Sequence, residues 1–556
     1  MENNTYDRPL IIQSDNTMLL EVHSSSFNDA RNDIIPFSEL IKSPEHIHTF
    51  TITPISLWNA ASAGFTADTI IARLSYWSKY PVPDNVKFTV NDIISRFGSI
   101  ILYPVDDEPD LFFLYISEHK IFQEIMHRKA IMEYLTIHKD GFFLNAYNRG
   151  TVKLLLIKLG YPVDDRIPLK TGDPIELSLR DTTISGYPFI LRDYQDEAKD
   201  AILGDGNPGT GYGTIVLPCG SGKTIVGINV IHALKTKTLI LTTNVAAVHQ
   251  WINELIDKTT LTKDDIGEYS GDRKVIRDIT VCTYQILTWR KDKVSDFPHF
   301  SIFKDHNWGL VIYDEVHMLP APVFKVTAEI QSMHRVGLTA TLVREDNRED
   351  EVFSLVGPKR YDIPWRELEQ KGWIAEAHCF EIRIPLDESL DIDYAIGSKR
   401  EKFRIASENP LKKPVIKQLI NNHKDEFILI IGQYLSQLNE LAKSLEIPVI
   451  TGSTPNKKRD ELFNSFRAGK QKILIVSKVA NFAIDLPDAS VAIQISGTFG
   501  SRQEEAQRLG RVLRPKKQGS HFYSLVTRYS VEEEFASNRQ KFLTEQGYKY
   551  HIEMWD

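Results

Sequence analysis

Residues 216–224, VLPCGSGKT, have the residue types and spacing of a loop that binds phosphate. An apolar run precedes this segment and a helix-forming run follows it. Gly220 and Gly222 allow a tight turn, so that the backbone N–H groups of the Gly220-Ser221-Gly222 segment can converge on phosphate oxygens. The positive N-terminal end of the following helix would strengthen that attraction.

Two side chains at the end of this loop suit a nucleotide triphosphate. Lys223 would reach the β- and γ-phosphates, and the hydroxyl of Thr224 would bind Mg²⁺. The strict phosphate-loop pattern begins with glycine, whereas this chain has Leu217 in that place. The loop therefore predicts ATP and Mg²⁺ as cofactors, and the structural alternative is a glycine-rich turn with an incidental lysine.

A pair of carboxylates occurs about 90 residues later, in the segment GLVIYDEVH. Asp314 and Glu315 directly follow an apolar strand, and the carboxyl ends of parallel strands face the ligand crevice. We expect Asp314 to hold Mg²⁺ through water, and Glu315 to orient and deprotonate the attacking water. His317 would relay the state of the nucleotide to the rest of the protein. The alternative is that the two acids only cap a helix.

The elements that position these residues are predicted by short β-branched runs that alternate with helical patterns. Five such runs lie between residues 213 and 341, and five more between residues 427 and 526. This rhythm is typical of parallel sheets covered by helices. The fold class is therefore α/β, with two parallel-sheet lobes and a cleft between them, preceded by an α+β N-terminal region.

Several motifs together resemble those of the superfamily 2 helicases, and within them the XPB/Ssl2 family. The motifs are RDYQDEA, GSGKT, DEVH, GLTAT, RED and QRLGRVLR. The likeness covers nearly the whole chain, because the N-terminal region and the closing FASNRQKFLTEQGYKY are also similar to that family. The chain resembles the compact prokaryotic form, which lacks the long terminal extensions of eukaryotic members. The resemblance implies that both parallel-sheet lobes are RecA-like.

The resemblance implies a role for each of these motifs. Arg192 and Gln195 would contact adenine, and Gln507, Arg511 and Arg514 would face the γ-phosphate from the second lobe. Thr339 and Thr341 would couple the lobes. The R-E-D element, which is Arg344, Glu345 and Asp346, would grip duplex DNA.

Further candidates for DNA contacts lie at the predicted strand ends, where hydroxyl, amide and helix N-terminal N–H groups suit phosphate. In the second lobe, Ser453 and Thr454 are also potential N-caps, with Pro455 at the first helical position. The remaining candidates are Thr243, Asn244, Thr283 and Tyr284 in the first lobe and Asp485 in the second.

The domain boundaries follow changes of texture along the 556 residues. An XPB/Ssl2-type N-terminal domain is predicted over residues 1–100, and a small α/β DNA-binding or damage-recognition-like domain over 101–175. The first lobe would span 176–363, and the second lobe 413–556. A linker with a thumb-like element, around the basic stretch 399–404, would lie at 364–412.

Composition restricts the class of protein. The 42% hydrophobic and 25% charged residues are typical of a globular protein, and no apolar run is long enough to span a membrane. The net charge is −8, yet residues 451–520 contain 13 Lys and Arg against 6 Asp and Glu, which is compatible with a polyanion partner. The three dispersed cysteines and the absence of a signal-like start predict a cytoplasmic protein. We also expect a monomer.

The leading prediction is an ATP-dependent 3′-5′ helicase or translocase on duplex or forked DNA, which acts in DNA repair. One alternative is an RNA remodeller built on the same core. Another is the motor subunit of a nuclease or restriction assembly, in which a nuclease or repair protein would be the partner. Residues 1–165 contain no nuclease constellation, since the acids at 106–110 have no matching E-x-K on a strand. A scaffold that uses ATP as a switch is a fourth possibility.

Overall fold

The computed structural model describes most of the chain. The described ranges are 7–43, 46–204, 206, 209–218, 220–291, 298–318, 332–340, 356–477, 489–497, 519–545 and 548–555. No helix among these residues is both long and apolar enough to cross a membrane.

The described strands form four sheets. In chain order they are β1 (Leu10–Ile12), β2 (Thr17–Glu21), β3 (Glu39–Lys42), β4 (Ile47–Thr51), β5 (Ile100–Val105), β6 (Glu108–Ile116), β7 (Thr136–His138), β8 (Gly141–Asn145), β9 (Val163–Asp165), β10 (Tyr212–Val216), β11 (Thr238–Thr242), β12 (Ile266–Tyr269), β13 (Ile279–Thr283), β14 (Leu310–Asp314), β15 (His334–Thr339), β16 (Lys359–Asp362), β17 (Ala377–Ile384), β18 (Ile428–Gly432), β19 (Val449–Ile450), β20 (Ile473–Ser477), β21 (Val491–Gln494), β22 (Ser520–Thr527) and β23 (Tyr550–Met554).

The described α-helices lie between these strands. They are α1 (Phe27–Ile34), α2 (Pro54–Ser62), α3 (Ala67–Trp77), α4 (Asp84–Ser95), α5 (His119–Met126), α6 (Lys129–Met132), α7 (Arg149–Lys158), α8 (Asp193–Leu203), α9 (Lys223–Leu234), α10 (Val245–Lys258), α11 (Tyr284–Thr288), α12 (Ser301–Lys304), α13 (Trp365–Gln370), α14 (Asp391–Ile396), α15 (Lys399–Ser407), α16 (Lys412–Asn422), α17 (Leu435–Leu445), α18 (Asn456–Arg467) and α19 (Val531–Glu545).

The N-terminal part contains two small sheets. The first is antiparallel, with the order β1-β2-β4-β3, and the second has the order β7-β8-β6-β5-β9. Each sheet has a hydrophobic core shared with its own helices. The acidic residues 106–110 lie at the connection between β5 and β6 and at the start of β6.

The first sheet contacts the edge strand β16 of the sheet that follows. Lys359 donates from Nζ to the carbonyl oxygen of Ile41 at 2.8 Å. The buried Arg360 donates to the carbonyl oxygen of Ile35 and, at 3.0 Å, to that of Gly209. These contacts fix the N-terminal sheet to the edge of its neighbour, because the guanidinium satisfies carbonyl groups on both sides.

The first large sheet has seven parallel strands in the order β12-β13-β11-β14-β15-β10-β16. Every residue of β11 and β13 is buried, as expected where helices cover both faces of a parallel sheet. Register pairs Val216 with Thr339 and Asp314 with Leu338, so that β10, β15 and β14 end at one edge.

The second large sheet also has seven parallel strands, in the order β19-β20-β18-β21-β22-β17-β23. Its core is built mainly from Ile, Leu and Val of the strands and of helices α16 and α17. The predicted α/β fold class, with two parallel-sheet lobes after an α+β N-terminal region, is confirmed.

Candidate nucleotide site

The glycine-rich segment leaves the sheet at the end of β10 and leads directly into α9. Gly220 and Gly222 have φ of 80° and 87°, a backbone conformation that residues with a Cβ seldom adopt. The buried Ser221 donates from its hydroxyl to the carbonyl oxygen of Pro218 at 2.6 Å, which holds the turn closed. Lys223 is the first residue of the helix, and Thr224 is the second. These features fit an anion-binding turn at a helix N-terminus.

The carboxylate of Asp314 is held by a buried tryptophan. Trp251 on α10 donates from Nε1 to Oδ2 of Asp314 at 2.9 Å, and the hydroxyl of Tyr284 donates to the Asp314 carbonyl oxygen at 3.0 Å. Burial raises the pKa of Tyr284 well above its usual value, so this hydroxyl keeps its proton. The last residue of β14 is therefore fixed in both side chain and backbone.

Glu315 has a left-handed backbone, with φ of 49°. Residues other than glycine adopt this conformation at a cost of about 1–3 kcal/mol, and such strain is concentrated at functional sites. A 3₁₀ turn, Val316–Met318, follows immediately. The backbone therefore changes direction at the residue predicted to activate water.

His317 is buried and connects two strand ends. Its Nδ1 lies 2.6 Å from the hydroxyl oxygen of Thr339, the last residue of β15, and 3.5 Å from Oε2 of Glu315. The structure thus brings together Asp314, Glu315, His317 and Thr339. The sequence analysis assigns the first two to ATP hydrolysis and the other two to the coupling of hydrolysis to movement.

The predicted adenine contacts lie at the start of α8. Arg192 is the N-cap residue, and its backbone N–H donates to the side-chain oxygen of the buried Gln195 at 3.0 Å. The guanidinium of Arg192 donates to the hydroxyl of Tyr194 at 3.0 Å. In the structure, Gln195 thus stabilises the first turn of its own helix.

Two of the predicted DNA-contact residues in the first lobe cap helices. The side chain of Asn244 accepts from the N–H of Ala247 at 2.9 Å and donates to the Thr243 hydroxyl at 3.0 Å. The hydroxyl of the buried Thr283 accepts from the N–H of Ile286 at 3.3 Å. Tyr284, a further DNA-contact candidate, is buried with its hydroxyl on Asp314, so that prediction was wrong.

Capping of α18 in the second lobe differs from the prediction. The helix begins at Asn456, and Pro455 is the N-cap residue with an extended backbone, rather than the first helical residue. The hydroxyl of Thr454 accepts from the N–H of Thr451 at 2.9 Å, while the hydroxyl of Ser453 lies 2.9 Å from that of Thr451. The side chains turn back toward the strand, because Thr451 offers closer partners than the helix does.

Comparison with known protein families covers most of the chain. The family described as ERCC3/RAD25/XPB C-terminal helicase matches residues 368–554, and that described as type III restriction enzyme, res subunit, matches residues 188–344. The description helicase conserved C-terminal domain matches residues 10–140.

Individual relatives extend the match to both ends. The DNA 3'-5' helicase XPB of Mycobacterium tuberculosis is 47% identical, over 98% of this chain and 98% of that protein. The chain belongs to the XPB family of helicases. The XPB protein of the same name from Kineococcus radiotolerans is 45% identical, over 98% of this chain and 96% of that protein. The general transcription and DNA repair factor IIH helicase/translocase subunit XPB/SSL2 of Saccharomyces cerevisiae is 29% identical, over 98% of this chain and 72% of that protein.

Membership of the XPB family confirms the predicted helicase class. The three alternatives, an RNA remodeller, a nuclease or restriction motor and a non-nucleic-acid scaffold, are not favoured by these relatives. Eight predicted site residues lie outside the described residues, and their roles stay predictions: Thr341, Arg344, Glu345, Asp346, Asp485, Gln507, Arg511 and Arg514.

The sequence analysis missed the residue that fixes the carboxylate of Asp314 in this XPB-family chain. Trp251 lies on the apolar face of α10 with Val248 and Leu255, so its position in the sequence looks like that of an ordinary core residue. The pattern of apolar residues predicts burial, but it does not predict that the indole N–H meets a carboxylate 63 residues away.

Proposed function

We propose that this XPB-family protein is an ATP-driven 3′-5′ DNA helicase or duplex translocase that acts in DNA repair. The proposal is supported by the full-length similarity to proteins named DNA 3'-5' helicase XPB. The observation that carries the proposal is that β10, β15 and β14 end at one edge of the sheet. The glycine turn, Thr339 and the acidic pair are the residues at or directly after these three strand ends.

ATP and Mg²⁺ fit the residues at this edge. The positive-φ glycines and the start of α9 supply backbone N–H groups for phosphate, and Lys223 adds a positive charge. Thr224 and Asp314 would hold Mg²⁺, whose charge would neutralise phosphate oxygens when the ion is bound. Glu315 would accept the proton of the attacking water, since its carboxylate follows the fixed Asp314 directly.

The remaining nucleotide contacts rest on the family motifs. Arg192 and Gln195 would bind the adenine base, since the Gln195 amide carries two N–H donors beside the oxygen that caps α8. Arg511 and Arg514, with Gln507, would place positive charge and hydrogen-bond donors on the γ-phosphate, where a planar guanidinium suits the charge that develops during transfer.

The coupling of ATP hydrolysis to movement would run through the hydrogen bond between His317 and Thr339, and through Thr341. Loss of the γ-phosphate would alter the position of Glu315, and the hydrogen bond of His317 would transmit that change to the end of β15. A two-state response of this kind is what turns hydrolysis into displacement.

The DNA contacts are proposed at the strand ends and in the R-E-D element. In the first lobe, Thr243, Asn244 and the N–H groups at the start of α10 suit backbone phosphate. The other residues proposed to contact DNA are Thr283, Arg344, Glu345, Asp346, Ser453, Thr454 and Asp485.

We also propose the domain arrangement and partners implied by the family. Residues 1–100 would form the XPB/Ssl2-type N-terminal domain, and residues 101–175 a small α/β domain that binds DNA or recognises damage. Residues 176–363 and 413–556 would form the motor, and 364–412 would link the lobes with a thumb-like element. The protein would act as a cytoplasmic monomer, and a nuclease or repair protein would be its partner.

The test compares the ATPase rate of the purified chain with duplex DNA, forked DNA, single-stranded DNA and RNA, and scores strand separation in parallel. DNA should stimulate the rate and RNA should not, and separation should require a 3′ single-stranded tail. Lys223→Ala should abolish both activities, whereas Lys263→Ala, an exposed lysine of the same lobe, should leave them intact. Stimulation by RNA alone would overturn the proposal.

A further inference from the structure

Two histidines and a glutamate meet at the amino ends of the strands in the second large sheet. His423 directly follows α16, Glu426 lies just before β18, and His521 is the second residue of β22. Ser453 and Thr454, which are proposed to contact DNA, follow the carboxyl end of β19. The cluster therefore lies at the opposite edge of this sheet from these two residues.

The three side chains converge within the reach of one metal ion. One potential ligand atom of each residue lies within 4.8 Å of those of the other two. The closest pair is Nδ1 of His423 and Oε1 of Glu426, at 2.7 Å, and the two imidazole centroids are 4.9 Å apart. A tetrahedral zinc ion holds its nitrogen and oxygen ligands roughly 3.3 Å apart. Small side-chain rotations would bring all three atoms to that spacing.

Two atoms of the cluster are buried without a hydrogen-bond partner among the described residues. These are Oε2 of Glu426 and Nδ1 of His521. A buried polar atom left without a partner costs about 1–3 kcal/mol, so native structures seldom keep two of them side by side. A metal ion coordinated by these residues would account for both.

The second nitrogen of His423 is already oriented as in a metal site. Its Nε2 lies 2.9 Å from the hydroxyl oxygen of the buried Tyr523, on the same strand as His521. A metal-binding imidazole commonly donates its other N–H to such a partner, which fixes the ring and its tautomer.

We propose that His423, Glu426 and His521 bind one divalent transition-metal ion, for which zinc is the best match. Two imidazoles and one carboxylate are common zinc ligands, and water would take the fourth position. His423 would coordinate through Nδ1 and donate from Nε2–H to the Tyr523 oxygen. Any proton that Nδ1 carries before binding would go to solvent. The ion would tie the end of α16 and the start of β18 to β22, and so stabilise this sheet.

The experiment uses the full-length, nucleotide-free protein after removal of metals with a chelator. Zn²⁺ is titrated by calorimetry, Tm is measured with and without Zn²⁺, and the visible spectrum of the Co²⁺-substituted protein is recorded. We expect one Zn²⁺ per chain, a higher Tm with Zn²⁺, and a Co²⁺ spectrum without the charge-transfer absorption of a cysteine thiolate.

Four variants separate a metal site from a hydrogen-bond network. Glu426→Gln and His521→Gln should each weaken Zn²⁺ binding tenfold or more, because a ligand is lost. Tyr523→Phe should weaken it about tenfold to a hundredfold, because the imidazole loses its orienting partner. His551→Gln on β23 is the matched control, since this histidine packs on Phe380 outside the cluster and should leave affinity unchanged.

Equal affinity in the wild type, Glu426→Gln and His521→Gln would overturn the proposal, as would the absence of Zn²⁺ binding by the wild type. If a variant does not fold, the measurements on the wild type still test the metal site. A Zn²⁺-dependent rise in Tm together with a thiolate-free Co²⁺ spectrum supports the site, and the lack of either contradicts it. None of these measurements depends on helicase activity.

Discussion

Nδ1 of His317 lies 2.6 Å from the hydroxyl oxygen of Thr339, so a single hydrogen bond joins the 3₁₀ turn after β14 to the end of β15. Both side chains are buried. Glu315 lies on the other side of the same imidazole nitrogen, at 3.5 Å. A displacement of the glutamate therefore has a direct route to the residue at which β15 ends, through a contact shielded from water.

Thr339→Val removes the hydroxyl and keeps the branched shape of the side chain. We expect this variant to retain most of its basal ATPase rate and to lose DNA stimulation and strand separation, because His317 no longer reaches β15. Thr339→Ser, which keeps the hydroxyl, is the matched control and should behave like the wild type. The ratio of strands separated to ATP hydrolysed is the measurement. Equal ratios in the two variants would remove this bond from the coupling route.

Glu315→Gln keeps the size of the side chain and removes its basic oxygen. ATP should bind with wild-type affinity, while hydrolysis should fall by about 10²-fold or more, because no group accepts the proton of the attacking water. Binding of a fluorescent ATP analogue and the steady-state rate test this expectation. Glu440→Gln, on an exposed helix face, is the control. Loss of ATP binding would show that Glu315 has been given the wrong role.

Arg514→Ala tests the charge proposed to reach the γ-phosphate from the second lobe. A residue with this role contributes about 10³-fold or more to kcat, so the rate should fall by that factor while ATP affinity changes little. Arg467→Ala, which changes an exposed arginine at the end of α18, should have no effect. An unchanged kcat in Arg514→Ala would transfer the role to Arg511 or to another residue.

The strands of both large sheets were largely predictable from the sequence. The runs that include Ile240, Val281 and Ile430 are apolar and β-branched, and each forms a strand buried along its whole length. This pattern arises because helices cover both faces of a parallel sheet, so no polar alternation interrupts the signal.

Three of the four edge strands of the large sheets, β12, β16 and β23, and the charged strand β17 were not predicted. The run Ala377–Ile384 contains Glu381 and Arg383 and was placed in a linker, yet β17 lies between β22 and β23. Glu381 is buried because Arg383 and Gln540 both contact its carboxylate, at 2.6 Å each. The single sequence cannot reveal that tertiary compensation, since the glutamine lies 159 residues further along the chain.

The site could be predicted where chemistry follows local spacing. The glycine turn, Asp314 and Glu315 need only a strand and the residues that follow it. The partner of Gln195 and the role of Trp251 could not be predicted, because a side chain buried by a helix pattern can serve either packing or hydrogen bonding. The R-E-D element and the arginines stay predictions.

Asp165 in the second small sheet should make the free energy of unfolding depend on pH. Its carboxylate contacts Arg149 at 2.7 Å and Lys153 at 2.6 Å. Burial acts to raise the pKa of Asp165, but these two cations outweigh it and lower that pKa to about 2. Because the folded pKa lies below the unfolded one, the pair stabilises the fold above pH ~4 by about 2 kcal/mol. That contribution is lost as the pH falls from about 4 to about 2.

Asp165→Asn should lower the free energy of unfolding by about 3–5 kcal/mol near neutral pH, since it leaves the buried Arg149 uncompensated. The difference from the wild type should shrink as the pH falls below about 4. The neighbouring Asp164→Asn is the matched control, because its partner Arg166 is exposed and such pairs contribute about 1 kcal/mol at most. Urea unfolding at several pH values measures both, and equal losses in the two variants would contradict the argument.

The ion pair between Lys412 on α16 and Glu532 on α19 should show strong coupling. Both side chains are fully buried, with Nζ 2.8 Å from Oε2, and the same oxygen accepts from the N–H of Thr527 at 2.9 Å. Lys412→Met leaves a buried carboxylate without its counter-charge, which costs about 3–5 kcal/mol.

The double variant Lys412→Met/Glu532→Gln removes both charges and keeps an acceptor for Thr527. It should therefore be less destabilised than the sum of the two single variants, by at least about 1 kcal/mol. Lys413→Met, which breaks only the exposed pair with Glu440, should change the free energy of unfolding by about 1 kcal/mol at most. Calorimetric unfolding of the wild type, the two single variants and the double variant gives the coupling free energy between the two charges. Strictly additive losses would mean that the two charges do not stabilise each other.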